Sequence, residues 1–230
     1  MAGPQTCRPD ASDDGRLKGV FLLNADGEWE PAKNCLNRYS TIMPKEYNCG
    51  LNPGVTFAET LKKAFPDEQI GLIANARGAT MISEWEKGTP YFDQAVKRAK
   101  QGTQGTKLAG ILWLQGEQDT VAKENYKNGV YARRFGGFIR DLRAALGDEE
   151  IPFIMGEIWG TTLLFAEEWR PGIRSVNKQI RQVASGATNV ALVKTKGIQH
   201  IAEDPVHFSP QGMRVLGRRY AKSYLKNWNK

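Results

Sequence analysis

The chain has 230 residues, 40% of them hydrophobic and 25% charged, and its 32 Lys+Arg against 25 Asp+Glu give a formal net charge of +7. That length can bury a full core and is read as one α/β domain over residues 1–230. No apolar run reaches the ~20 residues needed to cross a bilayer, so a membrane partner is not expected. The positive charge is dispersed. Arg214, Arg218, Lys222 and Lys226 line one face of the last predicted helix, the pattern of a solvated surface. No aromatic–basic interleaving accompanies them, and nucleic acid is not expected as a partner.

In chain order, Met1-Ala2-Gly3-Pro4 lacks the apolar stretch of a signal peptide. Cys7, Cys35 and Cys49 have neither CxxC spacing nor an even count, which argues against zinc and leaves open one disulfide beside a free thiol. Val20–Leu23, Ala25-Asp26-Gly27 and Trp29 predict a strand, a turn and a hairpin. The remainder of residues 1–54 is rich in Pro, Asn and Gly and reads as loop, a segment expected to decorate a parallel sheet rather than to start one.

Beyond it, strands and helices alternate. Strands are predicted at Gln69–Asn75, Leu108–Leu114, Ile151–Met155 and Asn189–Val193, each apolar without strict alternation, as in strands buried on both faces. Helices are predicted at Val55–Phe65, Tyr91–Lys100, Tyr126–Leu146 and Gly172–Ser185. The third of these places Tyr131, Phe135, Phe138, Leu142 and Leu146 on one face and stops at Gly147. A last helix starts with Ser209 as N-cap and Pro210 at its first position, with a stripe of Met213, Leu216, Tyr220, Tyr224 and Trp228. The fold class is therefore α/β: a three-layer α/β/α sandwich with a mostly parallel sheet, binding ligands at the carboxyl ends of its strands.

Three motifs follow predicted strands or precede the capped helix. Asn75-Ala76-Arg77-Gly78-Ala79-Thr80 offers a glycine turn whose backbone N–H groups can face an oxyanion. In Trp113-Leu114-Gln115-Gly116-Glu117-Gln118-Asp119, Gln115 can donate its amide to the same oxyanion, and Glu117 can orient a histidine or accept from substrate hydroxyls. By spacing alone this second block also reads as an ordinary polar loop. Asp204-Pro205-Val206-His207 supplies a carboxylate able to hold one imidazole tautomer, making His207 a general base for a hydroxyl. The other histidine, His200, is read as a surface or loop residue.

The base has no evident serine to serve. There is no Gly-x-Ser-x-Gly elbow, and Ser40 and Ser83, the least implausible candidates, do not follow a buried strand in a tight turn. Two histidines without a His-x-x-x-His pair argue against a metal site.

Taken together, these motifs resemble the SGNH hydrolase superfamily, and within it the sialate O-acetylesterase-like branch, carbohydrate esterase family six, which includes acetylxylan esterases. The similarity runs through Trp29-Glu30-Pro31-Ala32, Gly54-Val55-Thr56-Phe57-Ala58, Ile70–Ile73, Ala76–Thr80 with Glu84-Trp85, Trp113-x-Gln115-Gly116-Glu117, Gly156-Glu157-Ile158, Asp204-x-Val206-His207-Phe208 and Leu216-Gly217-Arg218-Arg219. It implies an acetylated carbohydrate substrate, no metal or organic cofactor, and secretion or a periplasmic location. It also implies His207 as base, Asp204 as its orienting carboxylate, Glu117 as a second carboxylate, and Gly78 and Gln115 as oxyanion-hole donors. Ala79 stands where the family carries a second glycine. The family's Gly-Gln-Ser-Asn-Met-Ala-Gly block aligns its last three residues with Met1-Ala2-Gly3. The resemblance thus sets the nucleophilic serine, and the first central strand before it, outside the 230 residues, between the strands at Gln69–Asn75 and Leu108–Leu114. The chain alone is expected to be inactive. The competing expectation is a non-catalytic carbohydrate-binding module, with Trp85, Trp113, Trp159 and Trp169 as candidate sugar platforms.

Overall fold

A computed structural model describes residues 15, 17–43, 50–159, 167–202 and 204–228. The chain divides into two compact units, one of Met1–Gly78, Lys97–Lys107 and Ile198–Lys230, the other of Ala79–Val96 and Leu108–Gly197.

In the first unit, β1 (Val20–Leu23) and β2 (Trp29–Pro31) form the expected hairpin, antiparallel with Leu23 opposite Trp29. Asn24 closes its turn, its side-chain oxygen accepting from the backbone N–H of Asp26 (3.0 Å) and Glu28 (2.9 Å). The hairpin does more than decorate. β1 also pairs in parallel with β3 (Ile70–Leu72), so the sheet order is β2-β1-β3. Val20, Leu22 and Leu23 are buried, which is why this strand takes the middle position. The fully buried Arg98 donates to the carbonyls of Leu23 (2.9 Å) and Asn24 (2.8 Å), satisfying acceptors at the end of β1.

Helix α1 (Gly54–Ala64) buries Val55, Ala58 and Leu61 at helical spacing. The last helix of the chain, spanning Pro210–Trp228, buries Met213, Leu216 and Tyr220 of the predicted stripe. The two meet at Gly217, where an added Cβ would lie 2.2 Å from the Pro53 carbonyl oxygen and 2.1 Å from Thr56 Oγ1. That close approach admits only glycine, and Thr56 uses it to donate to the Arg214 carbonyl at 2.9 Å.

In the second unit, β4 (Ile111–Trp113), β5 (Phe153–Gly156) and β6 (Val190–Val193) form a parallel sheet in the order β4-β5-β6. Among the described strands only β5 is buried along its whole length; β3, β4 and most of β6 are not, against the expectation of burial on both faces. β3 and β4 each end their own sheet, because among the described residues β3 pairs only with β1 and β4 only with β5. Helix α2 (Pro90–Gly102) precedes β4. The helix predicted at Tyr126–Leu146 is broken. A short α3 (Lys123–Tyr126) is separated from α4 (Val130–Leu146) by Asn128 and Gly129, whose φ values of 54° and 70° no α-helix accommodates. The α4 face buries Tyr131, Phe135, Phe138 and Leu142 and stops at Gly147, φ 77°. Its aromatics pack with Trp85, Trp113 and Phe153, with Trp113 and Phe138 ring centres 4.6 Å apart. Helix α5 (Arg170–Gly186) buries Ile173, Val176 and Ile180.

Candidate active site

Asp204 and His207 lie on a hairpin of β7 (His200–Ile201) and β8 (Asp204–Phe208), ahead of α6 (Pro210–Trp228). On a regular strand, residues three apart point to opposite faces and could not touch. Here His200 pairs with Phe208 and Ile201 with Asp204, so the span between Asp204 and Phe208 is unmatched on β7 and bulges. The bulge brings His207 Nδ1 to 2.5 Å from Asp204 Oδ2, while Asp204 Oδ1 accepts the Val206 N–H at 3.2 Å. A carboxylate on Nδ1 leaves Nε2 as the basic nitrogen, and the His207 side chain is 43% exposed. Ser209 caps α6, its hydroxyl accepting the Gly212 N–H at 3.1 Å, and its own N–H bonds Gln199 O at 3.0 Å, which ties the helix to the hairpin.

His200 is not a surface histidine. It is 9% exposed with its ring 4.7 Å from that of Phe208, because cross-strand pairing with Phe208 turns it inward.

The turn after β3 is exposed at Gly78 and Ala79 and held on both flanks. Upstream, the buried Asn37 side chain donates to Ala76 O (3.0 Å) and accepts the Ala76 N–H (2.9 Å). Ser40 Oγ lies 3.1 Å from Asn75 Oδ1 and accepts the Met43 N–H at 3.1 Å, so this hydroxyl builds a turn. Ser83 sits inside a 3-10 turn, Ile82–Trp85. Ala79 has φ 56°, the left-handed region that a glycine would enter freely; for an L-residue it costs roughly 1–2 kcal/mol.

Downstream, Thr80, Met81 and Ile82 are held group by group. The Trp85 indole N–H donates to Thr80 Oγ1 (2.9 Å), the Met81 N–H to Glu84 Oε2 (2.7 Å) and the Ile82 N–H to Asp119 Oδ2 (3.0 Å). Gln115 Nε2 donates to Thr80 O at 2.7 Å and to Asp119 Oδ2 at 2.6 Å. Both N–H groups of the amide are therefore engaged. The Tyr131 hydroxyl donates to Gln115 O at 2.9 Å and lies 3.2 Å from Gln115 Oε1. Gly116 has φ 133°, and a Cβ there would stand 2.9 Å from Val176 Cγ1 and 3.1 Å from the Tyr131 oxygen. Only glycine permits this close packing behind the motif.

Asp119 is 1% exposed, and burial pushes its carboxyl up to about 6 against hydrogen bonds from Gln115 and Ile82 that lower it. Burial also drives the Tyr131 phenol well above its ordinary range. Glu117 is half-buried, and its carbonyl accepts the Thr120 hydroxyl at 2.7 Å. In the Gly156-Glu157-Ile158 block, buried Glu157 pairs with Arg181 at 2.5 Å. Asn177 bonds both the N–H (2.9 Å) and the carbonyl (2.6 Å) of Ile158.

The structure thus brings Asp204 to His207 within one unit and Gln115 to Thr80 within the other. Asp119 and Asn37 were not singled out in the sequence. Asp119 had a signal, the i, i+4 spacing from Gln115; Asn37 had none, being 39 residues from Ala76. Trp85 and Trp159 are buried and Trp113 belongs to the aromatic core, leaving Trp169 exposed at 40%. Cys35 is disulfide-bonded, while Cys7 and Cys49 lie outside the described residues. Among the described residues no three His, Cys, Asp or Glu gather as a metal ion would require, and no helix is long and apolar enough to cross a membrane.

A match to the carbohydrate esterase, sialic acid-specific acetylesterase family spans residues 3–226. The chain belongs to this family. A probable carbohydrate esterase of Arabidopsis thaliana is 28% identical over 230 residues, covering 98% of this chain and 79% of that protein. Its X-ray structure aligns with a TM-score of 0.80 at 26% identity, over 96% of this chain and 86% of the other. NanS aligns with a TM-score of 0.75 at 15% identity, over 99% of this chain and 93% of its own. A carbohydrate acetylesterase from Xanthomonas citri aligns with a TM-score of 0.64 at 15% identity, over 97% of this chain and 54% of its own. The fold is the α/β sandwich of SGNH-type carbohydrate esterases.

Proposed function

We propose that this chain carries the base and oxyanion-binding machinery of a serine-type carbohydrate O-acetyl esterase. The observation that carries this reading is the 2.5 Å Asp204–His207 contact, with the imidazole half-exposed, in a chain of an esterase family. A serine hydroxyl attacks the acetyl carbonyl while His207 Nε2 takes its proton. The carbonyl oxygen becomes an oxyanion, received by the Gly78 N–H. Collapse expels the sugar oxygen, which takes the proton from His207, and leaves an acetyl-serine. Water, deprotonated by His207, then attacks the ester, and acetate leaves as the serine regains its proton. Glu117 is the second carboxylate that the family resemblance assigns to the reaction. Gln115 joins the oxyanion only by exchanging one of its present acceptors.

The reaction needs a serine in a Gly-Gln-Ser-Asn setting, which none of the 230 residues provides. The test compares this chain with one extended by a strand ending in Gly-Gln-Ser-Asn, on an O-acetylated sialic acid and on acetylxylan. Acetate release by the extended chain, lost in its His207→Ala variant, is expected. Equal release by the unextended chain would overturn the assignment of the nucleophile.

The second reading, a carbohydrate-binding module without chemistry, is favoured by the exposed Trp169. It expects glycan binding, weakened by Trp169→Ala, and no hydrolysis by either form.

A further inference from the structure

The Gln-Gly-Glu-Gln-Asp block ends in a carboxylate that the proposed chemistry does not use. Asp119 is buried, yet it gathers two donors on one oxygen, the Gln115 amide at 2.6 Å and the Ile82 backbone N–H at 3.0 Å. The same Gln115 nitrogen reaches back to the Thr80 carbonyl at 2.7 Å. These three bonds close a ring: Thr80 to Gln115, Gln115 to Asp119, Asp119 to Ile82. They grip the backbone immediately after Ala79, the residue held at φ 56°. An alanine persists in that conformation only where its surroundings over-determine it.

We propose that Gln115 and Asp119 form a buried latch that fixes the Thr80–Ile82 backbone and, through the left-handed Ala79, the direction in which the Gly78 N–H is presented. Asp119 is then a positioning residue. Gln115 serves the oxyanion through the turn, since both of its N–H groups are spent on Thr80 and Asp119. This rests on the reading of Gly78 as an oxyanion donor.

The latch is tied to a titratable group. Its ionised form is the stronger acceptor for the two N–H groups. Besides burial and these two donors, Glu117 raises its pKa and Arg134, on α4, lowers it. The Tyr131 hydroxyl, also from α4, holds the far side of Gln115.

The test needs no hydrolysis and uses this chain, with backbone amides of Ile82, Gly78 and Ala79 followed by NMR between pH 4 and pH 8. The Ile82 and Gly78 resonances are expected to shift together with a common midpoint near the value of about 6. In the near-isosteric Asp119→Asn variant that midpoint should vanish from both, and exchange of the Ile82 amide should accelerate about ten- to a hundredfold. Gln115→Glu, which sets a second carboxylate against Asp119, should raise the midpoint at Ile82. A carboxylate at position 115 cannot donate to the Thr80 carbonyl, so combining Gln115→Glu with Asp119→Asn should not restore the wild-type Gly78 shift.

A midpoint at Ile82 with none at Gly78 would overturn the proposal, because the latch would stop short of the oxyanion turn. Unchanged Ile82 exchange in Asp119→Asn would also overturn it. Failure of the esterase reading appears separately, as absence of acetate release from the serine-bearing chain.

Discussion

The Asp204–His207 contact and the Gln115–Asp119 hydrogen bond are almost the same length, 2.5 and 2.6 Å, but they stand in opposite surroundings. The first lies on a bulged hairpin, its side chains 29% and 43% exposed, and joins residues three apart. The second is buried beside Tyr131, and its polar atoms reach across 35 and 37 residues to Thr80 and Ile82. Water screens the first pair, so it contributes little to stability. The second has no water to fall back on, so each donor and acceptor in it depends on the others. One region is exposed and local, the other buried and long-range.

That contrast breaks most sharply at His207. In the serine-bearing chain His207→Ala should lower acetate release by about 10²–10⁴-fold, while urea unfolding shifts by only about 0.5 kcal/mol. A large stability loss would move this histidine into the structural class. Gln115→Leu reverses the pattern: it leaves the Thr80 carbonyl without its Gln115 donor and the Asp119 carboxylate with the Ile82 N–H alone, and unfolding should cost about 3 kcal/mol less.

The pH dependence sharpens the same division. Asp119 has its folded pKa raised from 3.8 to about 6, so its contribution to stability is fully present below pH 3.8 and is lost as pH rises through about 6. At about 1.4 kcal/mol per unit, the loss across that window is roughly 3 kcal/mol. Asp119→Asn should flatten this part of the unfolding free energy measured against pH; an unchanged slope would mean that another group titrates there.

Smaller effects complete the series. Tyr131→Phe removes the donor to Gln115 O and should cost about 1–2 kcal/mol, read from the thermal midpoint. Asp204→Ala should change unfolding by less than about 1 kcal/mol while abolishing most acetate release in the serine-bearing chain. A larger stability change would show that the hairpin, and not only the imidazole, depends on this carboxylate.

The exposed region was the legible one. Asp204, His207 and the Ser209 cap lie within six residues, so their relation is local, and the spacing carries it even though only the bulge explains how the contact is made. The buried region was legible only in part. Gln115 was visible within its motif, but its partners Thr80 and Ile82 are more than thirty residues away, and nothing local marks Asn37 as the clamp on Ala76. His200 was misplaced for the same reason, since its burial comes from the strand opposite. The break in the predicted Tyr126–Leu146 helix arises at Asn128-Gly129, ahead of the apolar face that begins at Tyr131.

The sequence by itself determined the alternation of strands and helices, the apolar faces of α4 and α6, the caps, and the pairing of a carboxylate with a histidine three residues on. These depend on periodicity and short range, which the chain carries from residue to residue. Only the tertiary structure decided that β1 is a central strand, that His200 faces inward, and that Gln115 and Asp119 close on the backbone after Ala79. Those depend on which distant groups share a space without water, where an unpaired polar atom costs more than the turn needed to pair it.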